Sequence, residues 1–310
     1  MRRFRVLFAA VLVGLSGLAA STFAVPAVSA AVTPTTLYAV DYVHQTVVKF
    51  VGGATGAFTS TVIGRNLSSV SSLVSDADGN VYLLDSGSLV RISSDGVQRS
   101  VATNLTGLGW LVIDPHGTVF VADGHRVIRI YQPSGKQSVM GSVTSRTIEG
   151  LGVDGSGRPT VAFGDYGDDH LALATFPTTA GSPKTIRTIT TISDDGVRAR
   201  RPVEAPNGVV FIQMTTPGGS GAQWIERIDA GRSTSTKVNT RYSDYAWTVD
   251  PRTRLHLMQI RKWCTGPSAG EGTCTADYAV DEILVFPATG GAAQLVVSGS
   301  YSVLTVKPGT

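Results

Sequence analysis

One phrase recurs along the chain: an apolar run, an acidic residue, a tight turn and a second apolar run. Its copies begin at Leu73, Leu111, Val153, Val203 and Val249. Their acidic residues, Asp76, Asp114, Asp154, Glu204 and Asp250, lie 38, 40, 50 and 46 residues apart. The apolar runs are too short for helices, and a repeat of this length belongs to architectures with one four-stranded sheet per unit. Asp accepts hydrogen bonds from backbone amides in the turn ahead of it, and Gly takes the positive φ that the reversal needs. The acidic positions therefore recur for reasons of folding alone.

Each unit continues in the same way. The second run closes on Asp41, Asp85, Asp123 or, more loosely, Asp165. A third strand follows, as in Leu89-Val90-Arg91-Ile92 and Val127-Ile128-Arg129-Ile130, then a glycine turn and a weaker fourth strand such as Ser100-Val101-Ala102. The first unit lacks its inner strand. The tail Leu304-Thr305-Val306-Lys307-Pro308-Gly309, joined to Thr36-Leu37-Tyr38-Ala39-Val40-Asp41, rebuilds the repeated phrase. The expectation is an all-β chain of six four-stranded antiparallel blades, closed by the C-terminal strand pairing in the first blade. Such closure removes sheet edges that would otherwise invite aggregation. No amphipathic helix is expected after residue 30.

The Asp-x-x-Gly hairpin, the strand ending in Asp and the Val-x-Arg-Ile strand resemble NHL-type repeats and related six-bladed β-propellers. The resemblance spans residues 36–310 and is best over 73–102 and 111–140. It implies one of three roles: a non-catalytic sensor or interaction domain, a calcium-dependent lactonase of the gluconolactonase type, or a metal-dependent lyase like virginiamycin B lyase. The lactonase role implies a Glu, two Asn and an Asp around calcium. Glu149-Gly150 matches its Glu-Gly pair. Pro206-Asn207-Gly208 matches its Asn-Gly element but falls in a hairpin turn on the wrong face. Asn66 and Asn104 lie on the right face in loops, where Asn most often serves a turn. The lyase role implies inner-strand His residues, whereas His44, His125 and His170 fall in outer loops, His116 in a turn and His256 in a second strand.

Residues 1–30 read as a cleaved leader, with Arg2, Arg3 and Arg5, an apolar stretch from Val6 to Ala20, and the small-residue site Val28-Ser29-Ala30. The stretch is short for a membrane span. A secreted bacterial protein is expected, with residues 31–310 forming one domain and no transmembrane segment. The leader carries three of the 26 basic residues and none of the 23 acidic ones, so the remainder is formally neutral. A neutral chain without a basic stripe lacks the footprint of a nucleic-acid binder. Cys264 and Cys274 are the two cysteines and are expected to form a disulfide in an oxidising compartment.

The candidate ligand face is the one where the inner strands begin. Its candidates are Glu149, the polar cluster Asp165, Tyr166, Asp168 and His170, and Arg198 and Arg200 of the next unit. Tyr242, Tyr245 and Trp263 add aromatic surface. The cluster reads either as a recognition patch or as ion pairs across a solvated rim, which contribute little each. The functional expectation is a monomeric, non-catalytic binding protein without a cofactor, engaging an extracellular protein, glycan or small molecule. The alternative is a calcium-dependent lactonase or hydrolase, and less readily a metal-dependent lyase.

Several motif matches carry no function. Gly150-Leu151-Gly152-Val153-Asp154-Gly155 fits a dinucleotide fingerprint but opens no helix. Gly266-Pro267-Ser268-Ala269-Gly270 fits a nucleophile elbow but lies inside the Cys264–Cys274 loop. Asn66-Leu67-Ser68 and Asn104-Leu105-Thr106 are glycosylation sequons that matter only in a eukaryotic secretory host.

Overall fold

The computed structural model describes residues 36–52, 57–105, 109–143, 147–154, 156–164, 170–190, 198–204 and 208–215. It also describes 223–229, 235–237, 244–249, 255–260, 281–286, 294–298 and 301–306. Among the described residues the chain is all β, folded into six four-stranded antiparallel sheets.

Sheet 1 places β24 (Tyr301–Val306) beside β1 (Thr36–Asp41), followed by β2 (Thr46–Gly52) and β3 (Phe58–Gly64). Sheet 2 runs β4 (Val70–Ser75), β5 (Val81–Asp85), β6 (Ser88–Ile92) and β7 (Gln98–Ala102). Sheet 3 runs β8 (Leu111–Ile113), β9 (Val119–Asp123), β10 (Arg126–Ile130) and β11 (Gln137–Ser142). Sheet 4 runs β12 (Thr147–Val153), β13 (Pro159–Gly164), β14 (His170–Thr175) and β15 (Lys184–Thr190). Sheet 5 runs β16 (Arg198–Glu204), β17 (Val210–Thr215), β18 (Gln223–Ile228) and β19 (Ser235–Lys237). Sheet 6 runs β20 (Asp244–Val249), β21 (Leu255–Ile260), β22 (Asp281–Phe286) and β23 (Gln294–Ser298).

The second strands β5 and β9 are apolar up to their closing Asp because both of their faces are buried. In β5, Val81 and Leu83 enter one core layer while Tyr82 and Leu84 enter the next. In β9, Val119 and Val121 pack back toward sheet 2, and Phe120 and Ala122 forward onto Ile148, Leu151 and Val161 of sheet 4. In β1, Tyr38 and Val40 face sheet 2, whereas Leu37 and Ala39 share a layer with Ile283 of sheet 6. Strand period two thus sorts one continuous apolar run into two layers. The core is a series of slabs between neighbouring sheets, and each sheet depends on both neighbours for burial.

The recurrent acids act as the sequence anticipates. Asp114 accepts from the amides of His116 and Thr118 at 2.9 and 2.8 Å, and Asp154 from those of Ser156 and Arg158 at 2.9 Å each. Asp76 takes the amide and the side-chain Nδ2 of Asn80, at 2.8 and 2.7 Å, and the Tyr82 hydroxyl at 3.3 Å. Burial, helped by the nearby Asp76 charge, pushes the Tyr38 phenol up to about 12.

Candidate functional site

The strands that head the sheets lie against one another. β24 approaches β20 on one side and β4 on the other, and the series continues from β4 to β8, β12 and β16. These six are the inner strands, and the site is built where they begin.

Five of them share an irregularity near that end. In β4, Val70 pairs with Asp85 and Ser72 with Leu84, which leaves Ser71 outside the ladder. In β12 the same shift between Ile148 and Gly150 leaves out Glu149, and in β20 the shift between Asp244 and Ala246 leaves out Tyr245. In β24, Ser302 and Val303 stand between the partners of Ala39 and Asp41. In β16 the shift falls slightly later, at Arg201 and Pro202. In sheet 3 the β8 ladder ends at Leu111, Ala122 still donates to the Trp110 carbonyl at 2.8 Å, and Gly109 takes the equivalent place. A side chain there would start 2.0 Å from the Ala122 oxygen, so the close backbone approach requires glycine. A β-bulge releases a residue from cross-strand pairing and re-aims it. Ser302, Ser71, Gly109, Glu149 and Tyr245 therefore mark one level across five sheets, and in sheet 5 Arg201 and Pro202 lie one pair further along β16.

The loops at this end are fixed by a repeated bond between neighbouring sheets. The amides of Leu67, Leu105 and Val143 donate to the carbonyls of Gln45, Gly87 and His125 at 3.3, 3.0 and 2.9 Å. All three side chains are buried, as plugs under the loop of the preceding sheet. Asn66 and Asn104, just before two of the plugs, adopt φ of 57° and 63°, a left-handed conformation that Asn tolerates well. The two sequon-like tripeptides are thus copies of a structural joint.

The acids of this face also hold loops. Asp41 accepts from the amides of Val43 and His44 at 3.0 Å each and meets His44 Nδ1 at 2.7 Å. Asp85 accepts from Ser69 at 2.7 Å, tying down the loop into β4, and Asp123 pairs with Arg126 at 2.5 Å. Glu149 is half-buried and engaged in contacts of its own, while Ser71 Oγ is buried with no hydrogen-bond partner. Among the described residues no three His, Cys, Asp or Glu side chains gather as a metal centre requires.

Several sequence candidates are placed differently from expectation. Arg198 and Arg200 belong to β16, Tyr245 to β20 and Glu149 to β12, whereas loops were expected at these positions. The inner strands start earlier than their apolar runs because the bulge absorbs a polar residue within the strand. His170 opens β14. Asp165, Tyr166, Asp168, Tyr242, Trp263, Cys264, Cys274 and the leader lie outside the described residues. Ser71, Gly109 and Arg201 belong to one recurrent irregularity that no residue type announces. A separate cleft of about 660 Å³ lies between β3 and the turn joining β6 to β7, lined by Thr61 to Asn66, Ser94 to Gly96 and Gln98.

No protein-family model matches the chain, and no curated protein matches its sequence. Solved structures do resemble it. TolB from Acinetobacter baumannii superposes with a TM-score of 0.61 at 9% identity, over 89% of this chain and 67% of that one. A chain of a nidogen/laminin complex gives 0.60 at 12% identity, over 88% and 98%. A Bacteroides caccae protein of unknown function gives 0.53 at 9% identity, over 88% and 99%. At such identities the likeness speaks to fold alone, and the fold is a β-propeller.

Proposed function

We propose that the six sheets are the blades of a closed, NHL-like ring that is secreted, remains monomeric and binds an extracellular ligand at the mouth of its channel without acting on it chemically. Closure is supported by the pairing of β24 with β1 and by the approach of β24 to both β20 and β4. Secretion rests on the leader-like first thirty residues, and a disulfide between Cys264 and Cys274 accompanies it.

The observation that carries the binding role is the recurrent bulge at one end of the inner strands. Taken round the ring, the bulge residues read Ser302, Ser71, Gly109, Glu149, Arg201 and Tyr245. Three consecutive blades contribute small residues, which leaves room. The other three bulge residues are a glutamate, an arginine and a tyrosine. A few polar groups on a rigid frame can orient a ligand. The ligand is a protein, a glycan or a small molecule.

The test is ligand screening by thermal shift on residues 31–310, followed by titration of Glu149→Gln and Tyr245→Ala. At least a tenfold loss of affinity with unchanged melting temperature supports the reading. Wild-type affinity in both variants overturns it. Calcium-dependent lactone turnover that is lost in Glu149→Gln and in chelator replaces it with the hydrolase reading.

A further inference from the structure

We infer that the free edge of β3 takes an extended peptide segment of a partner protein as a fifth strand of sheet 1, seated in the cleft between β3 and the turn joining β6 to β7. This surface is apart from the mouth and does not rest on the reading given for it. β3 is the last strand of its sheet, so every second residue turns its amide and carbonyl away from β2. Thr59 to Val62 are exposed. The bulge at Ile63 falls at the end of the strand and leaves Phe58 to Val62 in regular register with β2. One wall of the cleft is a consecutive run, Thr61 to Asn66. Strand side chains alternate between two faces, so neighbouring strand residues share a wall through their main-chain edge.

The outer seam is open here because the turn is short. Where sheet 2 meets sheet 3, residues 131–136 form the turn, and a Cβ added at Gly135 would start 2.0 Å from the Val101 carbonyl. Gln137 Nε2 also donates to the Thr103 carbonyl at 3.0 Å across that seam. Where sheet 3 meets sheet 4, the longer connection 176–183 sends the Gly181 amide to the Met140 carbonyl at 2.7 Å. Between sheets 1 and 2 the turn is residues 93–97, and a Cβ added at Gly96 would stand 3.5 Å from the Ile63 carbonyl. The cleft of about 660 Å³ occupies this place.

Outer strands are usually guarded against added strands by charge, proline or cover. β7 carries Arg99, β15 Lys184 and Arg187, and β19 Lys237, while β11 has the Gly181 amide on its Met140 carbonyl. β3 reads Phe58-Thr59-Ser60-Thr61-Val62-Ile63-Gly64, without charge or proline, and is longer than β23, which is also uncharged. The cleft selects the occupant. Ser94 to Gly96 and Gln98 stand opposite the edge as a second wall. A single strand enters between two walls, whereas the edge of a second copy brings its whole sheet with it. Arg65 lines the cleft, and its guanidinium makes no ion pair among the described residues. The Asp95 carboxylate is already taken by the Ser93 hydroxyl. The partner segment is thus rich in β-branched residues, which pack across from Val62, and carries one acidic side chain that meets Arg65 and sets the register.

The experiment selects random heptapeptides displayed on phage against the full chain, synthesises those recovered and follows backbone amide hydrogen exchange with each peptide bound. The expected result is at least tenfold slower exchange within Phe58–Val62. Methylating alternate amide nitrogens of the peptide, which removes its donors, lowers affinity at least tenfold. Ser94→Trp, which narrows the cleft, does the same, and Arg65→Gln costs at least threefold for peptides that carry Asp or Glu and nothing for those that do not. If Ser94→Trp fails to fold, Val62→Lys, which places a charge on the exposed edge, carries the same test. Recovery of no peptide that protects β3 overturns the inference. Protection confined to other strands, or affinity indifferent to N-methylation, overturns it as well. Dimerisation in sedimentation without peptide, with the same protection of β3, overturns it in favour of a second copy.

Discussion

The Tyr38 hydroxyl, in sheet 1, donates to the carbonyl of Gly79 in the Asp76 turn of sheet 2 at 3.3 Å. Tyr38 is 1% exposed, so this bond crosses the seam inside the core. Tyr38→Phe leaves the sheets in place and removes the donor, with an expected loss of about 1 kcal/mol in chemical denaturation. The folded phenol titrates at about 12 against an ordinary 10.0. Folding therefore favours its protonated form. Its contribution is fully present below pH 10 and is lost as pH rises toward 12. Ultraviolet titration of phenolate should show one late-ionising tyrosine fewer in the variant.

The plugs are expected to be the most sensitive loop residues. Leu67 and Leu105 are 2% and 7% exposed, although both sit in connections between sheets. Leu67→Ala should cost roughly 2–4 kcal/mol by removing buried methyl groups and leaving a cavity. Arg65→Ala, two residues away on the surface, should change stability by less than about 0.5 kcal/mol. Urea denaturation of the pair measures the contrast.

Gly109 and Gly117 should respond to alanine for different reasons. At Gly109 a new Cβ would meet the Ala122 carbonyl at 2.0 Å, and the backbone at the bulge has to move. The expected cost is about 2–3 kcal/mol, accompanied by altered ligand binding at the mouth. At Gly117 the φ of +82° disfavours alanine but no atom lies within 4 Å. The expected cost is about 1 kcal/mol with binding intact. Thermal melts combined with ligand titration separate the two.

Asp154 should shape the acid limb of stability. Burial acts to raise its pKa, but amide bonds from Arg158 and Ser156, together with the Arg158 side chain, outweigh it and hold the carboxyl below the ordinary value. A depressed carboxylate stabilises the fold above its unfolded pKa, and that contribution disappears as pH falls through the folded one. Asp154→Asn should lower stability by about 1 kcal/mol at neutral pH and flatten the loss below pH 4. Melting temperatures between pH 2.5 and 7 test the sign.

Repeat length and local patterning made the sheets legible. The Asp76, Asp114 and Asp154 turns, the apolar runs of β5 and β9, and the complementarity of Leu304–Val306 with Leu37–Ala39 all appear in one-dimensional order. The bulges do not. Ser71 and Glu149 look like loop residues before a strand, because a bulge differs from a loop only in the partner across the ladder. The Asn-Leu-Ser/Thr tripeptide has the form of a modification motif and the role of a joint, since the buried Leu67 is recognised only by its bond to Gln45.

The partner that completes the sheet of β1 is made after every other strand of the six sheets. Until Tyr301–Val306 emerges from the ribosome, Thr36–Asp41 exposes a full row of amides and carbonyls to any strand it meets. A nascent chain therefore leaves the sheet of β1 incomplete until β24 arrives. Chaperone protection of the newly made N-terminal segment, and intolerance of stop codons before position 301, are the cellular consequences.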